Sequence, residues 1–254
     1  MSCMSKVVDI EKSDDKRRMY LKYYKYILSH VCHVVDNFYR YMYPLLQQNN
    51  ISRIWSDEDI HNAVLDLQKH ILQHDASKLE EIEFYPYRFH FDATENEKHA
   101  PNYEKIDYPN YTKAWNHHFT VNLHHPNNPV WDGVDMDLQY ILEMLCDWFA
   151  VGQAASKEPP EVNTPLWWET SSDEERSCMS NKTVDTVNEF LYKVFKFPKP
   201  QLQESKELVS KKKFTDKQKR FFYSVGAMSD NGKHDGKVYI DYSKIPKKKS
   251  ISAK

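Results

Sequence analysis

Glycine is scarce in this chain, which has five glycines among 254 residues. None of them lies in a GxGxxG or GxxxxGK[ST] pattern, the glycine-rich loops that hold the phosphates of dinucleotides and nucleoside triphosphates. The sequence therefore argues against a Rossmann or P-loop enzyme.

Cysteines and long apolar runs are also few. The four cysteines form no CxxC pair, so we expect reduced thiols in an intracellular, cytoplasmic protein. No stretch approaches the roughly 20 apolar residues of a membrane span. The N-terminus lacks the apolar segment of a secretory signal. We expect no membrane association.

Charge is distributed unevenly along the chain. Residues 190–254 hold 17 Lys and Arg against 6 Asp and Glu, whereas the other residues hold 18 against 31. A solvated basic end is the simplest interpretation. The alternative is a tail that contacts nucleic acid, in which PKKKS at 246–250 would also suit a nuclear address.

Hydrophobic periodicity predicts a mainly α protein, a helical bundle with long polar loops. Helices are predicted at 18 to about 43, 111–122, 136–152 and 181–195. Another is predicted to begin at the SDED capping signal, 56–59, and its apolar stripe continues to His74. Residues 85–110 are predicted to be a loop, and 223–243 a small β-hairpin. The bundle would occupy residues 18–197, between an N-terminal extension (1–17) and a basic C-terminal extension (198–254).

Histidines and aspartates recur on or beside the predicted helices. In chain order they are His30, His74 with Asp75, His117 with His118, His124 with His125, and Asp147. A lone histidine on an apolar face is more often a hydrogen-bonded core residue than a ligand. A carboxylate in the apolar surroundings of Asp147, however, needs a paired charge or a metal. Imidazole and carboxylate without thiolate suit one or two divalent ions such as Mn, Fe, Mg, Zn or Ni.

The segments HDASK, AWNHHFTVNLHHP, EMLCDWFA and TPLWWE resemble an uncharacterised HD-like family of bacteria, phages and large DNA viruses. The order H…HD…H…H…D is similar to that of the HD superfamily of metal-dependent phosphohydrolases, and HDASK to its HDxxK segment. The resemblance covers about residues 20–197. It implies a helical metal-binding domain that hydrolyses a nucleotide or another small phosphorylated substrate.

The resemblance also implies roles for individual residues. The metal ligands would be His30, His74, Asp75 and Asp147, with His33 as a competitor for the first position. Lys78, His118 and Glu143 would be catalytic, and Lys78 would stabilise the transferred phosphoryl charge. Substrate binding would fall to Lys78, His117, His124 and His125, of which His124 or His125 could instead complete a second metal site. Glu143 could also orient a ligating histidine.

Two other functions fit the same residues. Some HD-like proteins are diiron oxygenases, and a non-catalytic binding protein could use the metal for stability alone. Trp115, Trp131 and Trp148 are interpreted as core residues, with a base-stacking platform as the alternative.

Overall fold

The computed structural model describes residues 3–99, 102–156 and 158–200. These ranges contain helices and turns but no β-strand, so the expected mainly α fold is confirmed. The α-helices are α1 (Cys3–Asn37), α2 (Asp57–His70), α3 (Glu81–Asp92), α4 (Glu95–Lys98), α5 (Tyr103–Val121), α6 (Leu138–Ser156), α7 (Pro160–Ser171), α8 (Asp173–Ser177) and α9 (Asn181–Glu189). They lie in a compact unit, Met1–Lys199. The predicted hairpin and the basic tail lie outside the described residues.

Helix α6 is at the centre of the bundle. Every residue from Ile141 to Cys146 is buried, and α1, α2, α7 and α9 pack around it. A helix that is apolar on all sides is stable only when other elements surround it. The two acidic residues of α6, Glu143 and Asp147, are therefore enclosed by the core as well.

Helix α1 begins earlier than predicted. It starts at Cys3 and runs without interruption through most of the predicted N-terminal extension. After Asn37 the chain continues as a π-helical turn, Phe38–Met42, and a 3-10 turn, Tyr43–Gln47. Val34 of α1 and Phe38 and Met42 of the π-helical turn are buried in the core.

Helix α2 begins as its capping signal predicts. The Ser56 side chain accepts a hydrogen bond from the Asp59 backbone N–H, and the Asp59 carboxylate accepts one from the Ser56 N–H. Its buried stripe of Ile60, Val64 and Leu67 faces α6 and the core. The helix ends at His70, so His74 lies beyond it rather than on its last turn.

The prediction of a loop at 85–110 is wrong for most of that segment. Helices α3, α4 and the start of α5 occupy it, and both α3 and α5 contain an internal proline, Pro86 and Pro109. Proline interrupts a helical hydrogen-bond ladder. Aromatic packing between α3 and α5, with Tyr87 against Tyr111, offsets that loss here.

Among the described residues, no helix has the length and apolar composition required to cross a bilayer.

Candidate metal centre

The predicted site residues converge from five places in the bundle. His30 is on α1, His74 and Asp75 follow α2, and His118 is on the last turn of α5. His124 and His125 lie in the next loop, and Asp147 is on α6. Six of these side chains are no more than 12% exposed: His30, His74, Asp75, His118, His124 and Asp147.

The segment after α2 turns His74 and Asp75 inward. A short 3-10 turn, Ile71–Gln73, follows the helix. Asp75 then adopts a left-handed backbone conformation with φ 56° and ψ 24°. Residues other than glycine adopt this region at a conformational cost, and such positions cluster at functional sites. The turn closes with a hydrogen bond from the Lys78 N–H to the Asp75 carbonyl, 2.9 Å.

Polar side chains brace the loop that carries His124 and His125. Asn128 donates from Nδ2 to the carbonyls of Thr120 (3.0 Å) and Asn122 (3.3 Å). The Trp131 indole N–H donates to the Leu123 carbonyl at 2.7 Å. These bonds fix the loop against the end of α5 and so fix both histidines beside His118.

One group of donor atoms surrounds Asp75 Oδ2. His30 Nε2 lies 3.1 Å from Asp147 Oδ1 and 3.5 Å from Asp75 Oδ2. His74 Nε2 lies 3.5 Å from Asp75 Oδ2 and 3.7 Å from Asp147 Oδ1. We call these four residues the first ligand group.

A second group surrounds the other oxygen of the same carboxylate. Asp75 Oδ1 lies 3.3 Å from His118 Nε2 and 3.6 Å from His124 Nε2. His125 Nε2 approaches His118 Nε2 to 2.9 Å. Asp75, His118, His124 and His125 form the second ligand group, so Asp75 belongs to both.

The donor atoms meet the requirements of a metal site. His30 Nε2, His74 Nε2, His124 Nε2 and Asp75 Oδ1 are buried and have no hydrogen-bond partner, although buried polar atoms almost always have one. Donors bound at about 2.0–2.2 Å to a common ion lie roughly 3.0–3.6 Å apart in adjacent positions. The separations of 3.1–3.7 Å in the first ligand group are close to that spacing. These buried groups can hold a metal ion.

Glu143 orients two of the histidines. Its Oε1 accepts a hydrogen bond from His74 Nδ1 at 2.9 Å and lies 3.5 Å from His124 Nδ1. Its Oε2 is 3.3 Å from His70 Nε2. A carboxylate on Nδ1 holds the imidazole in the tautomer whose Nε2 lone pair is free for a metal. Glu143 contacts the histidines from behind, on the side away from Asp75.

Glu83, on α3, has the same relation to His118. Its fully buried carboxylate accepts from His118 Nδ1 (2.9 Å) and from His117 Nδ1 (2.7 Å). Each ligand group therefore has a buried glutamate that fixes a histidine by its Nδ1. Sequence reasoning missed Glu83, which precedes the predicted loop at 85–110 and lies on α3, a helix that was not predicted. It also missed His70, which lies one turn before His74.

Lys78 lies at the rim of the centre, where its partly exposed ammonium group forms an ion pair with Asp75 Oδ2. Burial lowers the pKa of Lys78, but the charges of Asp75 and Asp147 outweigh that effect and raise it. The lysine is therefore a permanent cation beside the shared carboxylate.

The charges of the cluster compensate one another. Burial would raise the pKa of Asp75, yet Lys78 and His74 hold it well below its usual value. Burial also opposes the ionisation of Glu143, but the hydrogen bonds from His70 and His74 lower its pKa to about 2. Burial lowers the pKa of His74, whereas Asp75 and Asp147 raise it more strongly. The carboxylates are thus ionised in spite of burial.

Two predicted candidates are not part of the cluster. His117 turns toward α3, with Nδ1 on Glu83 and Nε2 3.9 Å from Glu80, so it does not face the other histidines. His33, the alternative to His30, is exposed, whereas His30 points inward. The helical phase that places His118 inward and His117 outward agrees with the sequence pattern.

A sequence model described as "Family of unknown function (DUF5662)" matches residues 19–193, which include every member of the two ligand groups. No curated protein and no solved structure matches the chain significantly. The match covers well over half of the chain, and we conclude that this protein belongs to the DUF5662 family.

Proposed function

We propose that this protein is an HD-like, metal-dependent phosphohydrolase that acts on a nucleotide or another small phosphoester. The observation that supports this most strongly is the position of Asp75, whose two oxygens face two separate sets of histidine Nε2 atoms. His30, His74, Asp75 and Asp147 would hold one divalent ion, and Asp75, His118 and His124, with His125, a second.

Divalent ions in such a pair would lower the pKa of bound water and act as Lewis acids toward phosphoryl oxygens. The chain itself supplies the positioning. Glu143 and Glu83 fix the imidazoles, and the buried surroundings strengthen each charge interaction. Lys78 places its ammonium group at the rim, where it can attract an anionic phosphoester and stabilise its charge.

Two observations favour hydrolysis over the rival functions. A structural metal is expected to be closed off by protein ligands, but the side chains of His30 and Asp147 keep 11% and 12% of their surface exposed. Both side chains therefore keep a small solvent-accessible surface where α1 packs on α6. The rim cation, Lys78, suits an anionic substrate, a requirement that phosphoester hydrolysis makes and oxygen activation does not.

Elemental analysis of protein purified without added metal, followed by a phosphoester screen with each bound metal, tests the proposal. We expect about two ions per chain and metal-dependent phosphate release. Asp147→Asn should lose metal and rate, because it removes a ligand charge. His117→Ala is the matched control and should retain both.

A chain that binds no divalent ion would rule out the proposal. So would oxygen-dependent turnover with bound iron and no phosphate release, which would indicate the oxygenase alternative. Equal losses in Asp147→Asn and His117→Ala would contradict the assignment of Asp147 as a ligand.

A further inference from the structure

One face of α5 carries a continuous row of aromatic rings. Tyr111, Trp115 and Phe119 are spaced four residues apart, so they follow one another along the helix. Ring centroids are 5.6 Å apart for Tyr111 and Trp115 and 4.5 Å apart for Trp115 and Phe119. The next ring is His125, 4.6 Å from Phe119. We call these four residues the aromatic row.

Part of the row belongs to the hydrophobic core: Tyr111 packs against a core cluster, and Phe119 and His125 are partly buried. Trp115 is 40% exposed, whereas the other five tryptophans are buried or partly buried, so the expectation that Trp115 is a core residue is wrong. Its neighbour Ala114 is fully buried in the cluster with Tyr23, Ile27 and Tyr87. Helix α5 thus packs on α1 and α3 through Ala114, while the side chain of Trp115 remains at the surface. Trp115 therefore presents an exposed ring beside the partly buried Phe119, which in turn contacts His125.

His125 joins the aromatic row to the metal centre. Its ring lies against Phe119 on one side and 4.7 Å from the ring of His118 on the other. One of its nitrogens belongs to a compact donor set with Asp75 and His124. A planar group stacked on Phe119 or Trp115 would therefore be separated from the second ligand group by one imidazole ring, a gap that a sugar or a similar linker can bridge.

We propose that Trp115 and Phe119 form a subsite for a planar aromatic ring of the substrate, and that the phosphoryl group of the same molecule reaches the metal centre past His125. This proposal rests on the proposed function and narrows its substrate class to phosphoesters that carry a nucleobase or an aryl group. Stacking on exposed aromatic side chains binds any flat ring, and its strength does not depend on hydrogen bonds to the base edge.

The test compares ligands that differ only in the ring. Isothermal titration calorimetry of the metal-loaded full chain is carried out with AMP and with ribose 5-phosphate, and released phosphate is measured in parallel. We expect AMP to bind about tenfold more tightly, because stacking adds to phosphate binding. Phenyl phosphate against methyl phosphate then distinguishes any aryl group from a nucleobase.

Substitutions in the aromatic row test whether these residues cause the preference for AMP. Trp115→Ala and Phe119→Ala should abolish the preference for AMP while leaving metal content and ribose 5-phosphate affinity unchanged, and Trp115→Phe should retain most of it. Tyr39→Ala, which removes an exposed aromatic ring on the turn after α1, is the control and should change nothing. Circular dichroism verifies the fold of each variant.

The outcomes separate this subsite from the proposed function. Adenosine against ribose tests the subsite without a phosphate, and inorganic phosphate tests the metal centre without a ring. Phosphate binding without any Trp115-dependent ring preference would overturn the subsite alone. A Trp115-dependent preference for adenosine without metal-dependent phosphate binding would overturn the proposed function but support the ring site. If no ligand shows a Trp115-dependent preference, the subsite is ruled out.

Discussion

At the scale of single residues, the centre depends on one carboxylate in an unusual conformation. Asp75 is the sole member of both ligand groups: its two oxygens face different histidines, and its backbone is left-handed. Asparagine and aspartate tolerate this conformation better than other residues with a side chain. The identity of the residue at position 75 therefore reflects both the backbone and the ligand chemistry.

The first prediction replaces the charge of Asp75 without changing its shape. Asp75→Asn should fold with unchanged helical content but lose most of the bound metal, because both ligand groups lose their shared anion. Elemental analysis and circular dichroism measure the two effects. Asp66→Asn, at an exposed position on α2, is the matched control. Full metal content in Asp75→Asn would disprove the role of Asp75.

The second prediction concerns the buried glutamate of the second ligand group. Glu83→Gln weakens the hydrogen bond that the side chain at position 83 accepts from His118 Nδ1. We therefore expect roughly 10- to 100-fold weaker metal binding at the second ligand group alone. A metal titration should then resolve one tight site and one weak site. Two equally tight sites would show that Glu83 does not position His118.

The third prediction is a pH dependence. The neighbouring carboxylates raise the pKa values of His74 and His30 despite burial, so both histidines retain protons to higher pH than usual in the metal-free protein. A metal requires neutral imidazole, and binding at pH 7 must therefore release protons. Affinity should rise with pH across the neutral range. Calorimetry in two buffers of different ionisation enthalpy measures the release: the observed heats should differ between the buffers, and equal observed heats would contradict it.

At the scale of secondary-structure elements, the sequence predicted helices with standard signals and missed those that depend on tertiary contacts. The capping box identified the start of α2 because its hydrogen bonds are local. Helix α3 and the start of α5 were obscured by Pro86 and Pro109, whereas the rest of α5 was predicted at 111–122. Their stability comes from contacts between the two helices, which no local pattern records. Glu83 was missed for the same reason.

The fourth prediction isolates such a local signal. Ser56→Ala removes the hydroxyl that accepts from the Asp59 N–H at 3.1 Å and should reduce the free energy of unfolding by about 1 kcal/mol. Urea denaturation followed by circular dichroism measures the change. Metal content should be unaffected, because the cap lies at the far end of α2 from His74. A loss of metal in this variant would indicate that α2 is less rigid than its packing implies.

At the scale of the whole molecule, the sequence predicts which residues could form the site but not how they are grouped. The order and types of the candidate ligands could be predicted from the sequence, because histidine and aspartate recur beside the helices. The division into two groups around Asp75 could not, since it depends on a backbone conformation and on two glutamates from different helices. The basic tail, which lies outside the described residues, has only its charge to suggest a role.

The fifth prediction removes that tail. A chain of residues 1–199 should retain its metal, because both ligand groups lie within it. If the tail contacts nucleic acid, the truncation should also abolish a salt-sensitive affinity for RNA or DNA, since phosphate contacts release counterions. Filter binding at two salt concentrations compares the two chains. Absence of binding by the full-length chain at low salt would leave the tail as a solvated end.

The spread of the donors along the chain has a consequence for folding kinetics. His30 and Asp147 stand 3.1 Å apart in space, yet α2, α3 and α5 lie between them in the sequence. An ion cannot find its full donor set until α1 has docked on α6, so it cannot act as an early nucleus. Bound metal should consequently leave the folding rate nearly unchanged and act by slowing unfolding, as do interactions that form after the transition state.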